Sequence, residues 1–298
     1  MENLVLTLSF LLIGMGLRRL PLFPRDTAQV LNLFVIHVSL PALVLTQVPR
    51  LIFSSELLVP TLMPWAMLLI SAALLLFLGK SFGWNRGTMG ALLLLVPLGN
   101  TSFLGIPMIR ALLGEEGIPY AVLYDQLGSF LALATYGSVV LALFGNNEKP
   151  SLRLVTKRIL TFPPFMALLL ALLIRGIPMP GTLTTLLSSL ATTLVPVVMI
   201  AVGFQITPRL APALLRPLGA GLVCKLVVAP LLALTFCRFF SLDSLAARVS
   251  VLEAGMPPMV SAGALAIMAG LSPELTAALV GLGIVVSFVS LPLLAQLL

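Results

Sequence analysis

Charge is what this sequence has least of. Only 9% of its 298 residues are Asp, Glu, Lys or Arg, where a soluble domain carries about 25%. That shortage excludes a water-soluble globule of this size. Cysteine is nearly absent: Cys224 and Cys237 are the only two, which excludes a disulfide framework and a cysteine-rich metal centre. The one histidine, His37, is read as a neutral residue within an apolar stretch. HExxH and clustered His/Cys ligands are missing, which argues against an intramembrane metalloprotease. The chain has no GxxxxGK[ST] loop and so no ATP drive of its own. Arg-rich voltage-sensor repeats and a TVGYG-type filter are missing as well. No metal, no other cofactor and no enzymatic activity are expected.

What the chain has is apolar length. Hydrophobic residues make up 59% of it, and the mean hydropathy is +1.15. They come in stretches of roughly 17–25, enough to cross the hydrocarbon as helices. Helices are required, because lipid offers no partner to exposed backbone groups, and the short alternating segments of a barrel are absent. The expected fold class is therefore an all-α integral membrane protein. Ten transmembrane spans are expected, at roughly 3–18, 27–47, 57–79, 87–113, 117–145, 154–175, 183–206, 211–237, 244–270 and 274–297. The start lacks a basic n-region and a cleavage site, so residues 3–17 are read as a retained first helix.

The net charge of +7 does not indicate nucleic acid. Basic residues sit in the short links, where they orient a membrane protein. Eleven Lys and Arg follow odd-numbered spans and four follow even-numbered ones. The excess puts the first set in the cytoplasm and both termini outside. The most polar link, GNNEKPS at 145–151, divides the chain into halves 1–147 and 148–298. Five spans per half is an odd number, so two similar halves would be inverted repeats. Pro107 and Pro257 lie 150 residues apart, and Pro41 and Pro196 lie 155 apart. Paired, interrupted helices in two inverted halves point to a transporter binding site.

Span 4 carries GNTSFLGIP at its centre, Gly99–Pro107, and span 9 carries GMPP at Gly255–Pro258. Proline lacks an N–H, glycine permits unusual backbone angles, and freed backbone groups at this depth need protein or water beside them. The half-helices that start at the two breaks would present their N-terminal N–H groups to one point, suited to a carboxylate. Candidate substrate-binding residues are Asn100, Thr101, Ser102, Pro107, Gly255, Pro257, Pro258 and Ser261. Three ionisable residues fall inside spans: Lys225, Glu253 and Asp125. A charge at this depth costs at least about 2.5–3.5 kcal/mol, so each is a candidate for coupling or charge balance. Lys225 and Glu253 are read either as a static packing pair or as charges that change partner during transport. Asp125, beside Tyr124 and Gln126, is read as a proton site or a hydrogen-bonded structural residue.

These motifs resemble the auxin efflux carrier family, which includes plant PIN-FORMED carriers and bacterial organic-anion carriers. Asn32 and Ser39-Leu40-Pro41-Ala42-Leu43 resemble its N…LPAL stretch; Asn100-Thr101 and Gly105-Ile106-Pro107 match its NT…GIP motif. Lys225 and Pro230 match a basic residue followed by proline, and Glu253-Ala254-Gly255-Met256-Pro257 resembles its second crossover motif, where plant members have Gln in place of Glu253. The resemblance implies ten helices in two inverted five-helix repeats, a bile acid–sodium symporter-like fold with broken helices 4 and 9 crossing. Spans 1, 2, 6 and 7 would form a scaffold, and spans 3–5 and 8–10 a moving transport domain. It also implies elevator-like alternating access, with Asn100 in contact with substrate and Pro107 and Pro257 as crossover prolines. The short central link, unlike the long loop of plant members, suggests a bacterial member in the inner (plasma) membrane and a small carboxylate rather than auxin.

The expected function is secondary transport of a small organic anion, driven by membrane potential or protons. The rivals are a sodium-coupled symporter, against which a lysine in place of a cation speaks, and a membrane ligand sensor, for which the links leave little surface. The expected partners are the anion and the lipid bilayer; nucleic acid is excluded and a homodimer is left open.

Overall fold

A computed structural model describes residues 2–24, 26–51, 54–145, 152–205 and 214–298. Their regular structure is helical apart from one isolated β-bridge. Among the described residues six helices are long and apolar enough to cross a membrane: α2 (Thr27–Arg50), α3 (Ser55–Phe82), α6 (Glu115–Phe144), α9 (Gly181–Gln205), α10 (Leu215–Phe239) and α13 (Pro273–Ala295). The shorter ones are α1 (Glu2–Leu17), α4 (Arg86–Leu95), α5 (Thr101–Leu113), α7 (Leu152–Leu160), α8 (Pro163–Leu173), α11 (Leu245–Ala254) and α12 (Val260–Met268). Their outer faces carry bare apolar side chains such as Leu69, Phe77, Leu173 and Met268. Side chains like these are at home in lipid and costly in water. The expected boundary between halves, at 147/148, lies outside the described residues.

The chain forms two compact units. The first comprises 1–54, 102–122 and 157–206. Its centre is a close approach of α1 and α9. A Cβ on Gly14 would strike the Ile200 carbonyl, and one on Gly203 the Leu11 carbonyl. Small residues let backbones come this near where lipid supplies no hydrophobic force between helices. Phe23 packs edge-on against Phe204, with ring centroids 5.8 Å apart. Ser39 and Thr193 share a hydroxyl hydrogen bond of 2.7 Å.

The second unit comprises 55–101, 123–156 and 207–298. Its core is aliphatic: Leu92, Leu94, Leu95, Leu98, Ala262, Ala266 and Leu279 are buried together. Pro64 of α3 fits where Gly128 of α6 has no side chain, and Trp65 Nε1 donates to Leu127 O at 3.0 Å.

Three prolines are handled alike. Pro41, Pro107 and Pro230 each stand two residues past a five-residue π-turn, at Val35–Ser39, Thr101–Gly105 and Cys224–Val228. A helical proline leaves the carbonyl four residues back without a donor and collides with it. Those carbonyls belong to His37, Phe103 and Leu226, the central residues of the three turns. The wider turn gives the ring room, and the helix continues beyond it. Such turns are frequent at functional sites. Pro97 is treated differently: helix α4 stops. The carbonyl it leaves without a partner, Leu93 O, accepts the Tyr136 hydroxyl at 2.8 Å.

Three substitutions test this packing. Gly203→Leu is expected to force α1 from α9 and to cost about 1–3 kcal/mol, as overpacking does. Gly219→Ala, at a position with nothing within 4 Å of an added Cβ, is expected to be neutral. Tyr136→Phe leaves the Leu93 carbonyl buried and unpaired and should destabilise by about 1–3 kcal/mol. Thermal unfolding in detergent measures all three.

Candidate functional site

Two interrupted helices meet in the second unit. Helix α4 ends at Leu95 and the chain is helical again from Thr101; α11 ends at Ala254 and α12 begins at Val260. The intervening stretches run antiparallel. The Asn100 N–H donates to Pro257 O at 2.8 Å, the Met259 N–H donates to Leu98 O at 3.0 Å, and Gly99 and Pro258 form the β-bridge between them. Backbone groups stripped of helical partners thus satisfy one another. Left alone in lipid, each would cost several kcal/mol. Pro257 and Pro258 suit this place because they bring carbonyls and no N–H to orphan. The Met256 N–H, in turn, donates to Glu253 O at 3.1 Å, the carbonyl that Pro257 does not serve. Gly283 of α13 lets that helix lie against Pro257 and Pro258, where a Cβ would come within 2.7 Å of Pro258 Cδ.

The polar side chains gather around this crossing. Thr101 Oγ1 donates to Asp125 Oδ1 and Gln126 Nε2 donates to Asp125 Oδ2, both at 2.6 Å. Asp125 and Gln126 lie in the π-turn Tyr124–Phe130, and Lys225 lies in the π-turn Cys224–Val228. Lys225 is 4% exposed and Glu253 0%, so neither charge reaches bulk water. The Lys225 amine packs on the crossing itself: a Cβ on Gly99 would sit 3.2 Å from Lys225 Nζ and 3.5 Å from Glu253 O. Gly99, Tyr124, Ser129, Lys225 and Glu253 line one cavity of about 10 Å³, room for a single water. An organic substrate does not fit there in this conformation. Among the described residues, Asn100 Nδ2, Gln126 Oε1 and both carboxylate oxygens of Glu253 are buried without a hydrogen-bond partner.

Of the residues singled out in the sequence, Asn100, Thr101, Asp125, Lys225, Glu253, Gly255, Pro257 and Pro258 come together in the second unit. Gly255 closes against Pro230, whose Cβ would lie 3.2 Å from an added Cβ. Ser261 is exposed on the first turn of α12. Ser102 and Pro107 fall in the first unit. Pro107 does not make the break expected of it. It is buried in the first turn of Ile106–Leu113, past its π-turn, and the helix is interrupted at Pro97 instead. The Asn100 and Met259 N–H groups, just ahead of the two half-helices, are engaged in the crossing, so these two are not offered to an anion. Sequence reasoning named Gln126 only as a neighbour of Asp125 and passed over Pro97 and Tyr136. Pro97-Leu98-Gly99 was a legible turn signal. Tyr136 carried only the weak hint that a buried tyrosine needs a partner for its hydroxyl.

Comparison with known proteins agrees with the membrane character of the chain. A family model described as membrane transport protein matches residues 1–295. An uncharacterized transporter of Methanothermobacter thermautotrophicus is 28% identical over 296 residues, covering 98% of this chain and 96% of that protein. An uncharacterized transporter of Methanocaldococcus jannaschii is 26% identical over 269 residues, covering 86% of this chain and 85% of its own. With nearly every residue inside the match, the chain belongs to the membrane transport protein family, that of the auxin efflux carriers its motifs resemble.

Proposed function

We propose that this membrane transporter is a secondary carrier for a small organic anion, a carboxylate, held at the crossing of the two interrupted helices. The observation that carries the reading is the pairing of a cation with an unused donor. Lys225 Nζ lies against Gly99, and the neighbouring Asn100 Nδ2 is buried with no hydrogen-bond partner. A buried donor left unmade is costly, and a carboxylate beside it would accept from Asn100 and neutralise Lys225. Thr101, fixed by Asp125, sets the backbone on which Asn100 stands. The site is closed in this conformation, so loading requires the crossing to open.

The proposed architecture is ten spans in two inverted repeats. Spans 1, 2, 6 and 7 are the scaffold, and spans 3–5 and 8–10 the domain that moves, elevator-like, between the two faces of a plasma membrane, with both termini outside. The division of the chain into two compact units supports the assignment for spans 1, 2, 6 and 7 and for spans 3 and 8–10, whereas residues 102–122 of spans 4 and 5 group with the first unit. Transport draws on the membrane potential or on protons. Lys225 already supplies a positive charge where a bound sodium ion would otherwise be needed. Glu253 is the proposed proton carrier, because its carboxylate oxygens engage no hydrogen-bond donor among the described residues. Loading a carboxylate together with a proton on Glu253 leaves the net buried charge unchanged, at a depth where added charge is expensive.

Uptake into proteoliposomes tests this, with a panel of carboxylates and imposed sodium, pH and voltage gradients. Asn100→Ala and Lys225→Ala are each expected to abolish uptake while the protein elutes and melts as a folded species; full transport by both would sink the site. Glu253→Gln is expected to keep carboxylate binding and lose the stimulation by an imposed pH gradient. Unchanged stimulation would remove Glu253 from the coupling step, and a sodium requirement in the parent protein would favour the symporter instead.

A further inference from the structure

A second concavity lies away from the crossing, where the start of α3 faces the end of α10 and the turn that follows it. Its volume is about 510 Å³. The floor is apolar, built from Leu58, Leu62, Met63, Phe236 and Phe240. Most of these are bare: Leu62 is 59% exposed and Phe240 55%. The mouth is acidic. Glu56 stands in the turn that opens α3, Asp243 stands in the link before α11, and both are exposed. No lysine or arginine lines the groove. Immediately beside it, Asp243 and Leu242 also border a smaller cleft, about 90 Å³, which holds Arg238 and Arg248. Carboxylates at helix ends over an apolar slot, with arginines one step away, form an ordered pattern of charge at the start of α3 and the end of α10.

We propose that this groove binds an ethanolamine phospholipid of the surrounding bilayer. An acyl chain covers the apolar floor, the primary ammonium meets Glu56 and Asp243, and the phosphate reaches toward Arg238 and Arg248. Charge complementarity selects this occupant. Basic sites recruit anionic lipids. Here an anionic headgroup without an ammonium could still reach the arginines but would bring no cation to Glu56 and Asp243, which would stay unpaired beside its negative charge. Arg238 already donates one N–H to Leu297 O at 2.8 Å, which holds its guanidinium beside the groove and leaves further donors on the fork. The assignment needs no transported substrate and stands or falls separately from the crossing.

The test uses the full chain in nanodiscs of equal phosphatidylethanolamine and phosphatidylglycerol, released and weighed by native mass spectrometry. The parent protein is expected to retain the ethanolamine lipid about fivefold over the glycerol lipid, the scale of two exposed ion contacts. Glu56→Gln with Asp243→Asn should abolish that preference while some lipid remains bound. Leu62→Trp, which fills the floor from an exposed position and so spares the fold, should reduce retention of both lipids. Preference for the glycerol lipid overturns the proposal. So does a double variant that selects like the parent, retention untouched by Leu62→Trp, or a disulfide between two copies of a Leu62→Cys variant that shows the face covered by a second copy.

Discussion

The structure of the second unit hangs on two reciprocal hydrogen bonds, Asn100 N–H to Pro257 O and Met259 N–H to Leu98 O. In water such a pair would be replaceable. Inside a bilayer there is no other solvent for the four groups involved. Two helices can be cut at this depth only because each cut supplies what the other lacks. The surrounding composition follows from that need. Pro257 and Pro258 sit where the α11–α12 link gives the crossing one carbonyl, Pro257 O, and one N–H, that of Met259, so neither missing N–H is needed. Glycines sit where another element must touch the crossing: Gly99 beneath the lysine amine, Gly283 beneath the proline pair. The Tyr136 hydroxyl closes the remaining account at Leu93 O.

Much of this was legible in the sequence. Apolar runs gave the helical segments, because bilayer thickness and backbone satisfaction leave little choice. The polar and proline-rich interruptions at Gly99–Pro107 and Gly255–Pro258 pointed to the right two helices, and Asn100, Lys225 and Glu253 lie at or beside the crossing. The position of the first break was not legible. Pro97 and Pro107 look alike to a rule that reads proline locally. They differ in how the carbonyl four residues back is accommodated. At Pro107 a wider turn absorbs the ring and the helix goes on; at Pro97 a tyrosine from another helix serves the carbonyl and the chain turns away. The second solution depends on a residue 43 positions from its acceptor, and no window along the chain contains it. The 150-residue spacing of Pro107 and Pro257 therefore pairs two prolines in unlike roles: one inside a helix, the other in the extended crossing.

The same dependence on surroundings separates the two buried acids. Asp125 and Glu253 are both carboxylates at a depth where charge is costly, and sequence offers no means of ranking them. Their hydrogen bonds do. Each oxygen of Asp125 accepts a short bond, one of them from Thr101, the neighbour of Asn100. A change in its charge would loosen Thr101 and with it the strand that forms the crossing. Glu253 follows its helix to the very end and is held there through its backbone carbonyl, bonded by Met256, while its carboxylate engages no donor. Among the described residues no hydrogen bond of the crossing runs through its carboxylate, so the proposed protonation there would leave the reciprocal bonds intact. In the proposed transport cycle Asp125 would be the fixed group, anchored to the polar strand, and Glu253 the group that takes up the proton, on the wall of the one-water cavity that Lys225 also lines.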